Sequence, residues 1–429
     1  MLFNEGGPLH ALIVTFDRLL TSRRLGYAWV AGGVLWLAWL LSVLLGSGDI
    51  DLTGQVVGTD YLAFHAVGTT VRTGESARLY DFDYQAQMQY RIIGPGLTSY
   101  HGYLMPPFLA WLFVPFSILP YRLAFALWSL LGLLGLWWSL IWLWGSASWR
   151  RFGWALTWFP IFASVSYGEN SLLSLALLSL TYRLWCDEHP WAAGLVCSLI
   201  LYKPQLALGV GALWLLSGKG KRGWTALAGF VLGGFVVAAL CFILMPEASW
   251  AYVDFVRTVL PNLPAWQEFP LWQLHTVRGF WRLLLPGMWP LADWLAVLIS
   301  AVGVWGCVRL WRRLHLPELR YAAAICLTLW LTPHAMIYDW AILLIPAVIF
   351  WQTLPARRDA LRVWYAVLWT LTFLGGPLNY ALWRQFGIAF QATVPVFLGG
   401  CVAVASYLHQ EPQDFLLHMT DVKREELNC

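Results

Sequence analysis

Charge is scarce in this sequence. Of 429 residues, 12% are Asp, Glu, Lys or Arg, against about 25% in an average soluble domain. The chain is also 59% hydrophobic, with a mean hydropathy of +0.61. A water-soluble fold of this length could not hide that much apolar surface, and disorder is excluded by the same balance. Cysteine is sparse as well. Cys186, Cys197, Cys241, Cys307, Cys326, Cys401 and Cys429 are scattered, with no C-x-x-C pair. That leaves no metal ribbon or redox motif, and small apolar packing residues are the reading. A P-loop, G-x-G-x-x-G, G-x-S-x-G and H-E-x-x-H are all missing, which removes support for ATPase, nucleotide-sugar and metalloprotease chemistry. A formal net charge of +4 is too slight to argue for nucleic acid as a partner.

What the chain does have is long apolar runs and 30 Trp. Runs of span-like composition cover 25–46, 121–144, 152–166, 169–186, 191–217, 224–245, 291–311, 320–333, 338–354, 361–380 and 386–408. The first follows Arg18, Arg23 and Arg24 and exceeds the roughly 7–15 apolar residues of a cleaved signal, so it reads as a signal anchor. The stretch 104–119 holds Pro106, Pro107 and Pro115, with Pro120 just beyond. Its proline-free core is too short to cross about 30 Å of hydrocarbon, and a helix on or dipping into the outer leaflet is expected. Run 191–217 carries Lys203-Pro204 at its centre. A lone Lys at mid-bilayer is costly, so the run is expected to divide into half-helices 191–203 and 205–217, with Pro204 at the tolerated first position of the second.

Counted this way the chain is an all-α polytopic membrane protein with about twelve transmembrane helices, forming one integral domain over 1–429. The clusters Arg150-Arg151, Lys219/Lys221/Arg222, Arg309/Arg312/Arg313 and Arg357/Arg358/Arg362 then all face the cytoplasm, as the positive-inside rule requires. The segment 1–24 and the tail 409–429 share that side. Two long extracytoplasmic loops, 47–120 and 246–290, are rich in aromatics interleaved with polar residues and are expected to carry amphipathic helices.

The residues able to do chemistry collect on that outer side. Asp60 opens an expected helix in the first loop. It reads either as an ordinary acid of a helical first turn or as a general base. Tyr103 precedes the Pro106-Pro107 corner. Glu169 and Asn170 sit between two runs, as helix caps or as functional polar groups at a membrane boundary. Lys203, at a helix break, reads as a snorkelling cation or as an anion site helped by a helix N-terminus. His334 and Asp339 flank another junction, and two histidines without further ligand spacing do not make a metal site.

In this order the segments resemble the polytopic glycosyltransferases of the GT-C superfamily, and most nearly glycosyltransferase family 87, the polyprenyl-phosphate-mannose-dependent mannosyltransferases of bacteria. Asp60 with Phe64 fits the family's early D-x-x-x-[YF]. Gly74 to Asp81 is a loose G-x-x-x-Y-D, and Tyr103 to Pro107 is Y-x-[YF]-P-P with Met105 as a departure. Gly168-Glu169-Asn170 stands for G-Q-x-N, one residue shorter. Lys203-Pro204-Gln205 is intact, Thr332 to Asp339 is a degraded S-P-H-S-W-D-H-D, and Gln273 to His275 is a faint loop motif. The resemblance extends over roughly residues 25–380.

The resemblance implies inverting transfer of mannose or another hexose or pentose from a polyprenyl-phosphate donor to a lipid-linked or glycan acceptor, at the outer face of the bacterial inner membrane. Asp60 would be the catalytic base. Lys203 and His334 would bind the donor phosphate, and Tyr103, Glu169, Asn170, Gln205, His275 and Asp339 would line the substrate site. No cofactor is implied beyond, at most, a loosely held divalent ion, and a monomer is expected among membrane lipids. The composition alone leaves two other readings open: a lipid or sugar transporter or flippase, and a transferase of the O-antigen ligase or polymerase kind.

Overall fold

A computed structural model describes residues 8–146, 148–217, 220–265 and 270–410, and every regular element among them is a helix. The tail beyond 410, Lys219 of one basic cluster and Glu268 of the second loop lie outside the described residues.

Four helices are individually long and apolar enough to cross a bilayer: Ser22–Leu45, Tyr121–Trp144, Gly220–Leu244 and Trp289–Arg313. Each has 24 or 25 residues, about 36 Å at 1.5 Å per residue. They keep large apolar side chains such as Leu44, Ile243 and Trp294 exposed, a surface suited to lipid rather than water. Apart from the 29-residue Arg358–Phe386, which holds Pro377, the rest of the bundle is made of shorter pieces. Ser171–Cys186, Pro317–Leu331 and Thr393–Gln410 are unbroken helices of 16, 15 and 18 residues. Ile337–Thr353 and Pro355–Phe386 meet at a bend of 105°.

Three sequence expectations meet the structure differently. The run 191–217 does divide at Lys203, but through 3-10 turns at Leu199–Tyr202 and Pro204–Ala207, with the α-helices Pro190–Ser198 and Leu208–Leu216 outside them. Run 152–166 is not one helix. It splits into Trp149–Leu156 and Phe159–Tyr167, because Pro160 has no N–H to give the Leu156 carbonyl. The Trp36 indole takes that carbonyl instead at 2.9 Å, and Trp369 takes the carbonyl of Thr157 at 2.7 Å. The helix Thr59–Arg72 is not amphipathic at an interface: Tyr61 through Gly68 are all buried. Helix Pro107–Phe113 packs on it, with Phe64 stacked on Phe113 at 4.7 Å. At 7 residues that helix is too short to cross, as expected; Leu109, Ala110 and Phe113 are buried against protein, and Leu112 stays exposed.

Candidate active site

Four chain segments converge at one end of the bundle, and their meeting is set by close packing. Tyr121 donates its hydroxyl to the carbonyls of Val57 and Gly58, at 2.8 and 3.0 Å, and so pins the start of helix Thr59–Arg72. Gly168 ends helix Phe159–Tyr167 at φ +72. A Cβ there would come within 2.5 Å of the Tyr61 Cβ and 2.9 Å of the Phe125 ring, so only glycine fits both the backbone and the space. The Trp128 indole holds the Gly168 carbonyl at 3.0 Å. The corner Gly168-Glu169-Asn170 is thereby pressed against the turn that carries Asp60.

The 3-10 turns on either side of Lys203 leave its side chain to reach across the bundle. Its Nζ lies 2.8 Å from Asp339 Oδ1 and 3.1 Å from Glu169 Oε2, and all three side chains are buried. Each carboxylate is fixed by further donors. The Ser171 hydroxyl donates to Asp339 Oδ1 at 3.1 Å, and the Met336 N–H to Oδ2 at 3.0 Å. The Asn170 N–H donates to Glu169 Oε2 at 2.9 Å. The ammonium also sits 5.1 Å from the centre of the Tyr338 ring, within cation–π reach. This is a buried triad of two acids and one base, satisfied by hydrogen bonds as such groups must be.

Asp60 stands beside the triad and differs from it. About 30% of its side chain is accessible, against 6% for Glu169 and 3% for Asp339. Its carboxyl is held well above the usual carboxylate range, first because the protein packed around it takes away part of its hydration and then because Glu169 repels a further negative charge; Lys203 opposes the shift and Asp339 adds to it. His101 Nδ1 lies 3.8 Å from Asp60 Oδ1. Burial lowers the His101 pKa to about 4, so near neutral pH it is an uncharged imidazole. Helix Phe82–Ile93 positions it: Gln89 accepts from the His101 N–H at 3.0 Å and donates to its carbonyl at 2.5 Å. One turn earlier, Gln85 accepts from the Tyr103 N–H at 2.9 Å and the Tyr100 hydroxyl at 2.6 Å.

Of the residues singled out in the sequence, Asp60, Glu169, Lys203, His334 and Asp339 come together. His334 is half-buried, and burial lowers its pKa while Asp339 raises it and Lys203 lowers it. Asn170 adjoins the triad with a fully buried side chain, and neither its Oδ1 nor its Nδ2 has a partner. Gln205 is half-buried on the turn after Lys203. Tyr103 is turned inward, its hydroxyl on the Pro106 carbonyl at 2.8 Å. His275 is buried against Thr393 at 2.9 Å, and its carbonyl holds the Trp340 indole at 3.0 Å; in this arrangement it props the segment that carries Asp339. The sequence did not single out His101 or Ser171 as site residues. His101 opens the stretch that ends at Pro106-Pro107, and this position was its one available signal. Among the described residues, no group of three or more His, Cys, Asp or Glu is placed to hold a metal ion.

Searches of curated proteins and of solved structures return no significant match. A family model does match, over residues 103–337, a narrower stretch than the resemblance drawn from motifs. It leaves Asp60 outside and includes Glu169, Lys203 and His334. That stretch is more than half of the chain, which therefore belongs to glycosyltransferase family 87.

Proposed function

We propose that this glycosyltransferase moves a sugar from a polyprenyl-phosphate donor to a hydroxyl of a lipid-linked or glycan acceptor, with inversion, at the extracytoplasmic face of the bacterial plasma membrane. The observation that carries the reading is Asp60. It is an accessible acid beside a buried ion triad, and its surroundings favour the protonated form. A general base is most effective when its pKa approaches the working pH, and the negative field of Glu169 and Asp339 shifts Asp60 in that direction.

In this reading Asp60 takes the proton of the acceptor hydroxyl as its oxygen attacks the anomeric carbon. The bond from that carbon to the phosphate oxygen breaks, and the electron pair leaves with the polyprenyl phosphate. His101, neutral and 3.8 Å away, orients the Asp60 carboxyl. Lys203 and His334 serve the leaving phosphate. The phosphate would reach Lys203 by taking the place of one of its two carboxylate partners, an exchange of one charge-assisted contact for another. Asn170, with unpartnered polar atoms beside the triad, supplies a donor and an acceptor for sugar hydroxyls, and Glu169, Asp339 and Gln205 complete the lining. Tyr103 and His275 support the walls. The reaction so written consumes no cofactor. All of these residues come from one chain, and a monomer suffices.

The topology that goes with this reading has about twelve crossings, the shorter and broken helices pairing to complete the bundle, with the loops 47–120 and 246–290 outside. The test is a transfer assay with the purified protein in detergent and a panel of polyprenyl-phosphate hexoses and pentoses. A glycosylated acceptor of inverted configuration is expected. Product of retained configuration, or strict dependence on a nucleotide sugar, would overturn the reading. So would sugar or lipid movement across vesicles with no product from any donor.

A further inference from the structure

A large cavity lies away from the Asp60 cluster. It measures about 760 Å³ and lies between helices Ser22–Leu45, Trp149–Leu156, Leu344–Thr353 and Arg358–Phe386, within the roughly 300–1,000 Å³ of small-molecule sites. Its wall is apolar and aromatic, with Trp144, Trp158, Trp364 and Trp369 among the lining residues, and no Asp or Glu among the described residues contributes to it. Among the described residues, its charged lining groups are Arg24, Arg151 and Arg362.

The three arginines lie at one depth. Three of the helices run in the same direction past Thr157: Gly32 packs against Thr157, and the Trp369 indole bonds its carbonyl. From that level, Arg24 is eight residues back from Gly32, Arg151 six back from Thr157 and Arg362 seven back from Trp369. At 1.5 Å per residue each lies about 9–12 Å toward the same end. Arg24 and Arg362 also donate to the adjacent carbonyls of Leu19 and Leu20, at 3.0 and 2.5 Å. Of the three, and among the described residues, only Arg362 has a carboxylate partner, Asp17 at 3.3 Å. Arg151 bonds to Ser146 and lies over the Trp144 ring. Among the described residues, the rim therefore carries two positive charges without a carboxylate partner, above an apolar trough.

We propose that this cavity binds an anionic phospholipid from the leaflet on its arginine side, with an acyl chain in the trough and the phosphate on Arg24 and Arg151. The charge balance selects the occupant. A zwitterionic headgroup brings its own cation to a rim that already has two in excess, and a free phosphate leaves the trough uncovered. Arginine suits the task, because its planar fork matches phosphate oxygens and its stem and face pack on tryptophan. The site is independent of the reaction proposed above, since none of its residues belongs to the Asp60 cluster.

The test is lipid binding to the full chain in a neutral detergent, by native mass spectrometry. Phosphatidylglycerol and phosphatidylcholine are added separately, and inorganic phosphate serves as a competitor. Wild type is expected to hold phosphatidylglycerol at least about tenfold more tightly than phosphatidylcholine, in line with charge-assisted contacts to phosphate. Arg24→Gln/Arg151→Gln should abolish the preference. Ala347→Trp, which fills the trough and keeps the arginines, should weaken both lipids and covers the case in which the double variant does not fold. Equal affinity of wild type for the two lipids would overturn the proposal. A preference that survives the double variant, unchanged binding by Ala347→Trp, or full competition by phosphate alone would each do the same.

Discussion

An acid in the first turn of a helix is cheap to replace, whereas a general base is not, and Asp60 can be assigned by that difference. As a helix-terminal acid it is worth about 1 kcal/mol or less. As the base, its loss as Asp60→Asn should slow transfer by about 10²–10⁴-fold, with donor binding and elution behaviour kept. Turnover within about threefold of wild type would return it to the structural role. The wild-type pH profile carries the same information. Because the Asp60 pKa is raised in the folded protein, the proton stays on to higher pH than on an ordinary carboxylate. The acid limb of the rate should therefore lie above the ordinary carboxylate range, and burial holds the His101 pKa lower, at about 4, so the histidine cannot account for it. The stability sign is opposite to that of a salt-bridged acid. Between the unfolded pKa and the raised folded one, the folded state holds a proton that the unfolded chain releases, so stability falls as pH rises through that window. Asp60→Asn should remove that slope in a pH series of melting curves. Lys203 tests a different property. Lys203→Met leaves Glu169 and Asp339 as two buried, uncompensated charges, a loss of about 3–5 kcal/mol. Neutralising both in addition, as Glu169→Gln and Asp339→Asn, should restore much of the melting temperature. If Lys203→Met alone melts like wild type, the triad does not hold this end of the bundle.

At the scale of the element, the sequence is legible where a local rule decides and opaque where a distant partner does. The break at Lys203 follows from a cation next to a proline inside an apolar run, and the chain breaks there. Pro160 is as plain a breaker, yet run 152–166 read as continuous, because the groups that take over the freed carbonyls, Trp36 and Trp369, lie 120 and 212 residues away. Helix Thr59–Arg72 misled for a related reason. Its alternating aromatics and polar groups suit an interface, but Pro107–Phe113 and the Phe159–Tyr167 helix cover it. The candidate site shows the same division. The charged residues at run boundaries could be picked out one by one; that Lys203 would be paired twice, and that His101 would face Asp60, depended on contacts across the fold. Gly168 links the two levels. Its φ of +72 and its contact with Tyr61 predict that Gly168→Ala costs about 1–3 kcal/mol from the backbone alone. The cost should exceed that range because the Tyr61 and Phe125 side chains must also give way. Activity should fall with it, since Glu169 is displaced from Lys203. A variant that melts and turns over as wild type would show that the corner is free to shift.

For the whole molecule, Arg24, Arg151 and Arg362 gather at one end of the bundle and Asp60, Glu169 and Asp339 at the other, and the proposed orientation rests on that division. Helix Ser22–Leu45 starts beside Arg24 and ends shortly before Asp49, which lies 3.7 Å from Arg122 at the start of Tyr121–Trp144. Asp60, Glu169 and Asp339 gather at that acidic end. Arg151, past the far end of Tyr121–Trp144, belongs with Arg24 and Arg362 at the other. In the proposed orientation, the positive-inside rule would assign the arginine end to the cytoplasm and so put the Asp60 cluster outside, where a polyprenyl-phosphate sugar would present its head group. Two exposed positions decide between this orientation and its inverse. Asn262 is exposed in the second long loop. Glu188 follows helix Ser171–Cys186 and pairs with Arg222 at 3.8 Å, with 84% of its side chain accessible. In a background with the native cysteines replaced, Asn262→Cys should react with a membrane-impermeant maleimide on intact cells. Glu188→Cys should react only after permeabilisation. The reverse pattern would put the arginines outside and the proposed donor on the wrong side. Labelling of both from outside would mean that the helices between them cross the membrane an even number of times, and the count of twelve would have to be redrawn even if Asp60 remained the base.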